Sequence, residues 1–242
     1  MADTGALPDQ GVIFHIARAA DWDEARRTGR YTTSTLGRSL DDVGFIHCSH
    51  RHQVERVANA AYRGLAERLC LLVVDPTRLE GSGVREESGG GVETFPHVYG
   101  PLPLASVVEV RPFEPTAAGL FVPPRSWLSS KVEVRPSPIE GLGLFAVAPV
   151  GEGEPVSVMG GRLLTDEELA DHVATADRWS ATSIGGGLNI LQDPEDPLAL
   201  GNHSCPGNVW MVDELTLAAR RPIAAGEEIT VDYALSPISR RS

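Results

Sequence analysis

Two consecutive prolines near the middle of the chain limit its folding more than any other feature. Pro123 and Pro124 lie within the segment GLFVPPRSWLSS, residues 119–130. A proline fixes its own φ angle and lacks a backbone N–H, so neither a helix nor a central strand continues through such a pair. With 242 residues, the chain is also longer than a common single domain of roughly 100–150 residues. We therefore predict two domains with a linker between them and a short tail, at residues 1–123, 124–130 (the linker), 131–236 and 237–242 (the tail).

The composition is that of a globular protein with ordinary cores. Hydrophobic residues make up 42% of the chain and charged residues 22%, a balance that allows a core to be buried. No apolar run approaches the ~20 residues that cross a bilayer, and the first residues lack the pattern of a secretory signal. We expect a cytoplasmic protein that does not bind membranes. The three cysteines are far apart and form no Cys-x-x-Cys pair, so we predict no metal site.

Negative charge is concentrated in the second half of the chain. The net charge is −12, and residues 127–242 carry −9 of it. Because such a chain repels nucleic-acid phosphates, we expect no nucleic-acid partner. The acidic second half would instead attract a basic protein or peptide.

The two halves differ in their hydrophobic patterns. In the first half, apolar runs such as GVIFHIA and LCLLVVD predict strands, and AADWDEARRTG and HQVERVANAAYRGL predict helices. We therefore predict an α+β domain with a mixed sheet, in which the Gly- and Ser-rich residues 81–93 form an exposed loop. The hydrophobic pattern of the second half predicts a mostly-β domain of short strands. Its one helical pattern, TDEELADHVAT, begins with Thr165 and Glu168 at the spacing of a capping box.

Three polar segments follow one another in the second half: EGLGLFA, GNHSCPGN and AAGEEITVDYALS. The glycines around Leu142 let the backbone approach a ligand closely. By itself, GNHSCPGN is open to three interpretations: a Cys-His nucleophile, part of a metal site, or a structural turn. The third segment ends a strand on Asp232 and Tyr233.

In this order, GLGLFA, GNHSCPGN and ARRPIAAGEEITVDY resemble the SET domain of protein-lysine methyltransferases over about residues 131–236. The family signature has a residue between Cys and Pro, whereas Cys205 is followed here directly by Pro206 and Gly207. The resemblance implies a SET fold with a pseudoknot and a metal-free methyl transfer from S-adenosylmethionine to a protein lysine. No cysteine follows the Asp-Tyr pair, so the channel would be closed by the first domain, the tail or a second subunit of a homodimer.

The resemblance also assigns roles to single residues. Tyr233 would be the catalytic phenol beside the methyl-transfer channel, and Cys205 would be a packed residue rather than a nucleophile. The cofactor-binding residues would be Gly141, Leu142, Gly143, Asn202 and His203. The alternative is a domain that has lost catalysis and only binds a basic peptide or the cofactor.

VIFHIARAADWDEARRTGRY, GFIHCSHRHQVERVANAAYRG and TFPHVYGPLPLASVVEVRPF resemble a small bacterial family, domain of unknown function 952, over about residues 11–123. We associate that family with the ADP-ribosyltransferase-like superfamily, which implies a dinucleotide or phosphate pocket and an NAD-type ribosyl or phosphoryl transfer. The pocket would be flanked by His15 and His47, with Arg85, His97 and Tyr99 as further polar contacts. The opposing interpretation makes each histidine a hydrogen-bonded core residue.

Overall fold

The computed structural model describes residues 11–79, 81–89, 92–233 and the backbone of 238–241. The chain divides into two compact units between Phe121 and Val122, which confirms the prediction of two domains.

The first domain is α+β, as predicted, but the prediction of a mixed sheet is wrong, because the strand pairs found among its described residues are antiparallel. Its described elements are β1 (Ile13–Arg18), α1 (Ala19–Thr28), β2 (Arg30–Tyr31), β3 (Thr33–Thr35), β4 (Arg38–Ser39), α2 (Leu40–Val43), β5 (Ile46–His47), α3 (Val54–Ala61), β6 (Leu69–Val74), β7 (Gly83–Ser88), β8 (Thr94–Tyr99), β9 (Leu102–Pro103) and β10 (Val107–Phe113).

Two antiparallel sheets organise this domain, in the strand orders β1-β6-β10 and β5-β8-β7. The central strand β6 is buried along its whole length, because its apolar side chains face packed layers on both sides. Helix α1 ends where Gly29 adopts a φ of 86°, a left-handed conformation that glycine adopts without steric cost. The sheet β5-β8-β7 carries the polar residues considered below.

The predicted loop over residues 81–93 is wrong for its central part. Gly83–Ser88 is strand β7, which pairs with β8 along its whole length. Ladder hydrogen bonds to β8 hold the segment extended despite its Gly and Ser content. Since side chains two apart share one face of a strand, Arg85 and Glu87 lie on the same face.

The second domain is mostly β, as predicted. Its described elements are β11 (Trp127–Leu128), β12 (Val132–Pro136), β13 (Leu142–Ala146), β14 (Pro155–Val158), β15 (Arg162–Thr165), α4 (Asp166–Thr175), β16 (Trp179–Gly185), β17 (Leu188–Gln192), β18 (Asn202–His203), β19 (Val209–Met211), β20 (Thr216–Ala219), β21 (Glu228–Val231) and β22 (Ile238–Arg241).

The larger sheet of this domain has the order β11-β14-β20-β19-β21-β13-β12, and β18 pairs with β21. A smaller sheet has the order β15-β17-β16-β22. Helix α4 begins with the predicted capping box of Thr165 and Glu168. Strand β11 falls within the predicted linker and β22 within the predicted tail.

Strand β21 brings two of the polar segments together. It pairs antiparallel with β13, which contains Leu142 and Gly143, and parallel with β18, which consists of Asn202 and His203. The GLG and NH segments therefore meet on either side of the strand that leads to Tyr233. No helix in the described part of the chain is long and apolar enough to cross a membrane.

Candidate functional site

A cavity of about 690 Å³ in the second domain lies where the three polar segments meet. Four of the five predicted cofactor-binding residues line it: Gly141, Leu142, Asn202 and His203. Tyr233, the predicted catalytic residue, lines it as well. A cavity of this size lies within the range of about 300–1,000 Å³ that is typical of small-molecule sites.

The amide of Asn202 connects the GLG segment to β21. Its Nδ2 lies 3.2 Å from the carbonyl oxygens of Glu140 and Leu142 and 2.8 Å from Oε1 of Glu228. Because acceptors surround Nδ2, the orientation of the amide is fixed. Oδ1, to which no donor in the described part of the chain is assigned, is then the atom that can accept a hydrogen bond from a ligand.

Gly143 does not line the cavity, and its position explains why it is glycine. A Cβ atom there would overlap the carboxylate of Glu228 and lie 3.0 Å from Nδ2 of Asn202. Glu228 also accepts a hydrogen bond from the hydroxyl of Ser137, at 2.8 Å. Gly143 therefore makes room for the carboxylate that orients Asn202.

His203 and Cys205 are in contact but do not form an activated nucleophile. The backbone N–H of Tyr233 donates to Nδ1 of His203 at 3.2 Å, so the neutral ring carries its proton on Nε2. Nε2 lies 3.5 Å from Sγ of Cys205 and, as a donor, it cannot take the thiol proton. Cys205 is exposed, which corrects the expectation that it is packed.

The Tyr233 side chain is half-buried beside His203, with 5.0 Å between the ring centroids. Its hydroxyl donates to the carbonyl of Gly201 at 2.8 Å. Because that bond uses the hydroxyl proton, the phenol oxygen can act only as an acceptor toward a further group.

Pro206 and Gly207, in their altered order, are held against β21 by Asn208. The Asn208 side chain accepts from the N–H of Thr230 at 2.9 Å and donates to the carbonyl of Glu228 at 2.8 Å. A Cβ at Gly207 would lie 2.7 Å from the backbone nitrogen of Asp232. In this order, Gly207 rather than Pro206 is the residue that packs closely against β21.

The first domain places four of its five predicted site residues on one face of the sheet β5-β8-β7. His47 lies opposite His97, and His97 lies opposite Arg85 on its other side. Tyr99, two residues after His97, shares that face. The Arg85 guanidinium stacks over the Tyr99 ring, 4.4 Å from its centroid.

His15 is buried and lines the same cavity as His47 and His97, but both of its ring nitrogens are bonded within the core. Its Nδ1 lies 2.6 Å from the carbonyl of His47, and its Nε2 lies 2.9 Å from the hydroxyl of Tyr31. A carbonyl can only accept, so the proton is on Nδ1, and Nε2 accepts from Tyr31. Burial lowers the pKa of His15 to about 4. The structure thus leaves neither ring nitrogen of His15 available to a substrate.

Comparisons with known proteins identify both halves. Residues 16–110 match the family described as "Protein of unknown function (DUF952)", and residues 141–234 match the SET domain. The chain carries a DUF952 domain followed by a SET domain. The comparison with curated proteins found no match.

Solved structures resemble each domain in turn. The crystal structure of protein CC0527 from Caulobacter crescentus is 33% identical, and the match covers 46% of this chain and 92% of that one, with a TM-score of 0.41. The methyltransferase domain of human histone-lysine N-methyltransferase SETMAR is 22% identical (47% and 50% covered, TM-score 0.37). The Neurospora SET domain protein DIM-5, a histone lysine methyltransferase, is also 22% identical (42% and 51% covered, TM-score 0.34). The chain thus spans about half the length of these two SET structures.

Sequence motifs missed three residues at the SET-domain cavity. Glu228 orients Asn202. Its position in GEE, within the third motif, is the sequence signal that could have identified it. Arg178 and Trp179 also line the cavity, but no motif contains them. The indole Nε1 of Trp179 is buried, and no partner for it is found in the described part of the chain.

Among the described residues, no group of three or more His, Cys, Asp or Glu side chains has the arrangement needed to hold an ion.

Proposed function

We propose that the SET domain transfers a methyl group from S-adenosylmethionine to the side-chain amine of a protein lysine. The observation that carries the proposal is the single cavity lined by Gly141, Leu142, Asn202, His203 and Tyr233. These residues come from three sequence segments, and β21 brings the segments together.

The residues around the cavity fit the parts of S-adenosylmethionine. Arg178 is a cation that can pair with the carboxylate of the methionine part. Glu140 and the amide oxygen of Asn202 are acceptors suited to its ammonium group. Leu142 and Leu200 provide apolar surface for the adenosine part. When bound, S-adenosylmethionine supplies an electrophilic methyl group on a sulfonium.

Tyr233 would orient the lysine amine. A lysine has a pKa of about 10.4 in water and must lose a proton before its nitrogen can attack. The phenol oxygen of Tyr233, whose own proton is given to Gly201, would accept an N–H of the neutral amine. The amine lone pair is then directed away from the phenol, and this positioning accounts for much of the rate.

We propose further that β21 passes beneath the segment 202–208 as a pseudoknot. The parallel pairing of β18 with β21 supports this topology, as do the hydrogen bonds from Ser204 N to Val231 O and from Asn208 N to Thr230 O. Such threading is rare among protein folds. It would fix the NH segment and Tyr233 relative to each other.

A basic protein or peptide is the proposed substrate. Residues 127–242 carry −9 of the net charge of −12, and a negative surface raises the local concentration of a cationic partner.

Calorimetric titration with S-adenosylmethionine tests the cofactor assignment. Asn202→Ala should weaken binding by about tenfold or more, because it removes both the ligand acceptor and the link to the GLG segment. Asn189→Ala is a matched control, since Asn189 is buried in the same domain but bonds to Asp166. Wild-type protein that gives no binding heat would contradict the proposal. Binding without methyl transfer to any protein would favour the alternative, a SET domain that only binds.

An NAD-type transferase activity in the DUF952 domain is the second candidate function. The shared face of His47, His97, Arg85 and Tyr99 favours it. Against it, Arg85 is stacked on Tyr99 and is not among the described residues that line the neighbouring cavity, so its guanidinium is not positioned there to hold a phosphate. An NAD-dependent rise in the thermal unfolding midpoint would support this candidate.

A further inference from the structure

The DUF952 domain has its own cavity of about 300 Å³ beside the histidine face. Its walls are largely apolar and include Ile16, Val57, Ala61 and Phe95. No Arg or Lys is found among the described residues that line it. Without a cation in its walls, the cavity is suited to a small uncharged molecule rather than to a phosphate or a carboxylate.

His47 presents one defined ring nitrogen to this cavity. The hydroxyl of Ser34 donates to the carbonyl of Phe45 at 2.5 Å, and that bond uses its only proton. The Nδ1 of His47, 3.0 Å from the same hydroxyl oxygen, must therefore be the donor in that contact. In the neutral ring Nε2 then carries the lone pair.

His97 is held in the same way by a carboxylate. Its Nδ1 lies 2.6 Å from Oε2 of Glu87, and the hydroxyl of Tyr99 donates to the same carboxylate at 2.9 Å. The ring of Phe45 stacks on His97 with 4.1 Å between centroids. These contacts fix the ring and leave its Nε2 as the second nitrogen at the cavity, where it accepts when neutral and donates when protonated.

The two imidazoles are close enough to act on one molecule. Their ring centroids are 5.3 Å apart at an interplanar angle of 71°, and both rings line the cavity. Partial burial, followed by the nearby His97, lowers the pKa of His47 below its ordinary value, although a hydrogen bond to the Ser34 backbone acts in the opposite direction. His47 is therefore largely neutral at pH 7, as a proton acceptor must be.

We propose that this cavity is an acid–base site for a small uncharged molecule. In it, His47 removes a proton, and His97 protonates or hydrogen-bonds the atom that gains the electron pair. The substrate loses a proton to Nε2 of His47, and the electron pair of the broken bond stays on the substrate. An atom of the same substrate gains negative charge as its bonds rearrange, and it is protonated or hydrogen-bonded by Nε2–H of His97. The step needs no oxidant, reductant or second substrate.

A model elimination tests the site without knowledge of its natural substrate. The probe is 5-nitrobenzisoxazole, a planar uncharged molecule that loses a carbon-bound proton to a base while its N–O bond breaks to give a coloured phenolate. The full-length protein should accelerate this reaction over buffer of the same pH. His47→Gln should lower the protein-dependent rate by about tenfold or more. His50→Gln is the control and should keep it, since His50 does not line the cavity.

Ser34→Ala provides a second variant that leaves His47 in place. Without the Ser34 oxygen, Nδ1 of His47 loses its acceptor, and the proton should redistribute toward Nε2, which lowers the rate. The ring tautomer is read by ¹⁵N NMR of the histidine side chains. A wild-type protein that does not accelerate the elimination, or an unchanged rate in His47→Gln, would overturn the proposal. So would a shifted tautomer in Ser34→Ala with no loss of rate.

Discussion

The histidines of this chain take different roles because their ring nitrogens have different partners. Both nitrogens of His15 are bonded inside the core, whereas His47 and His97 each have one nitrogen bonded and one at the cavity. His203 is bonded through Nδ1 to the backbone of Tyr233. The partner of each nitrogen, rather than the residue type, determines what each ring can do.

Stability should fall between pH 6.5 and 4 because of His15. Its pKa is lowered by burial from 6.5 to about 4, so in this window the unfolded chain binds a proton that the folded chain does not. The free energy of unfolding therefore decreases as the pH falls, by about 3 kcal/mol in total from this group. Chemical denaturation at a series of pH values measures the slope.

His15→Gln should remove most of that slope, since a glutamine amide can still bond the His47 carbonyl and the Tyr31 hydroxyl but does not titrate. The acidic group Glu227 acts in a different window. A hydrogen bond from Arg221 lowers the pKa of Glu227 to about 2. The contribution of Glu227 to the free energy of unfolding is therefore lost only as the pH falls below 4.5. An equal slope in wild type and His15→Gln between pH 6.5 and 4 would show that His15 is not the cause.

At the scale of residues, motifs identified the side chains proposed to contact a ligand more readily than those that position them. The residues of GLG, NH and DY themselves carry the atoms that would face a ligand, so the family pattern includes them. Glu228 on β21 accepts a hydrogen bond from Asn202 on the neighbouring strand β18, and Trp179 reaches the cavity from β16. Such long-range contacts depend on sheet order, which hydrophobic periodicity does not specify.

At the scale of elements, the loop 204–208 depends on the close approach of Gly207 to β21. Gly207→Ala should destabilise the protein by about 1–3 kcal/mol, because the new Cβ would meet the backbone of Asp232, Val231 and Thr230. Thermal or chemical unfolding measures the loss.

Gly151→Ala is the matched control for this change. Its Cβ would have an ordinary contact of 3.6 Å with a Glu154 carboxylate oxygen. Equal stability of the two alanine variants would mean that Gly207 is not packed against the strand.

The predicted elements were correct where local signals agreed with the tertiary structure. The buried run of β6 and the capping box of α4 are of this kind. Residues of strand β7 were predicted to form a loop because the segment 81–93 is rich in Gly and Ser. Pairing with β8 is a non-local contact, and it overrides the local preference.

At the scale of the whole molecule, the chain joins two domains that each have a cavity with chemically defined polar groups. The sequence predicted the division from a proline pair, and the family matches agree with it. The two cavities differ in their charges, since the SET-domain cavity includes Arg178 and Glu140, whereas no Arg or Lys lines the described walls of the DUF952 cavity. We therefore expect the two domains to bind different classes of small molecule.

Methyl transfer to lysine by the SET domain can be measured with an isotope label on the methyl group. Purified protein is incubated with methyl-labelled S-adenosylmethionine and a cell lysate, and labelled residues are located by mass spectrometry. We expect label on lysine side chains of basic proteins, and a loss of labelling of roughly tenfold or more in Tyr233→Phe with cofactor binding retained. Cofactor binding without any labelled lysine, or equal labelling by wild type and Tyr233→Phe, would contradict the proposed methyl transfer.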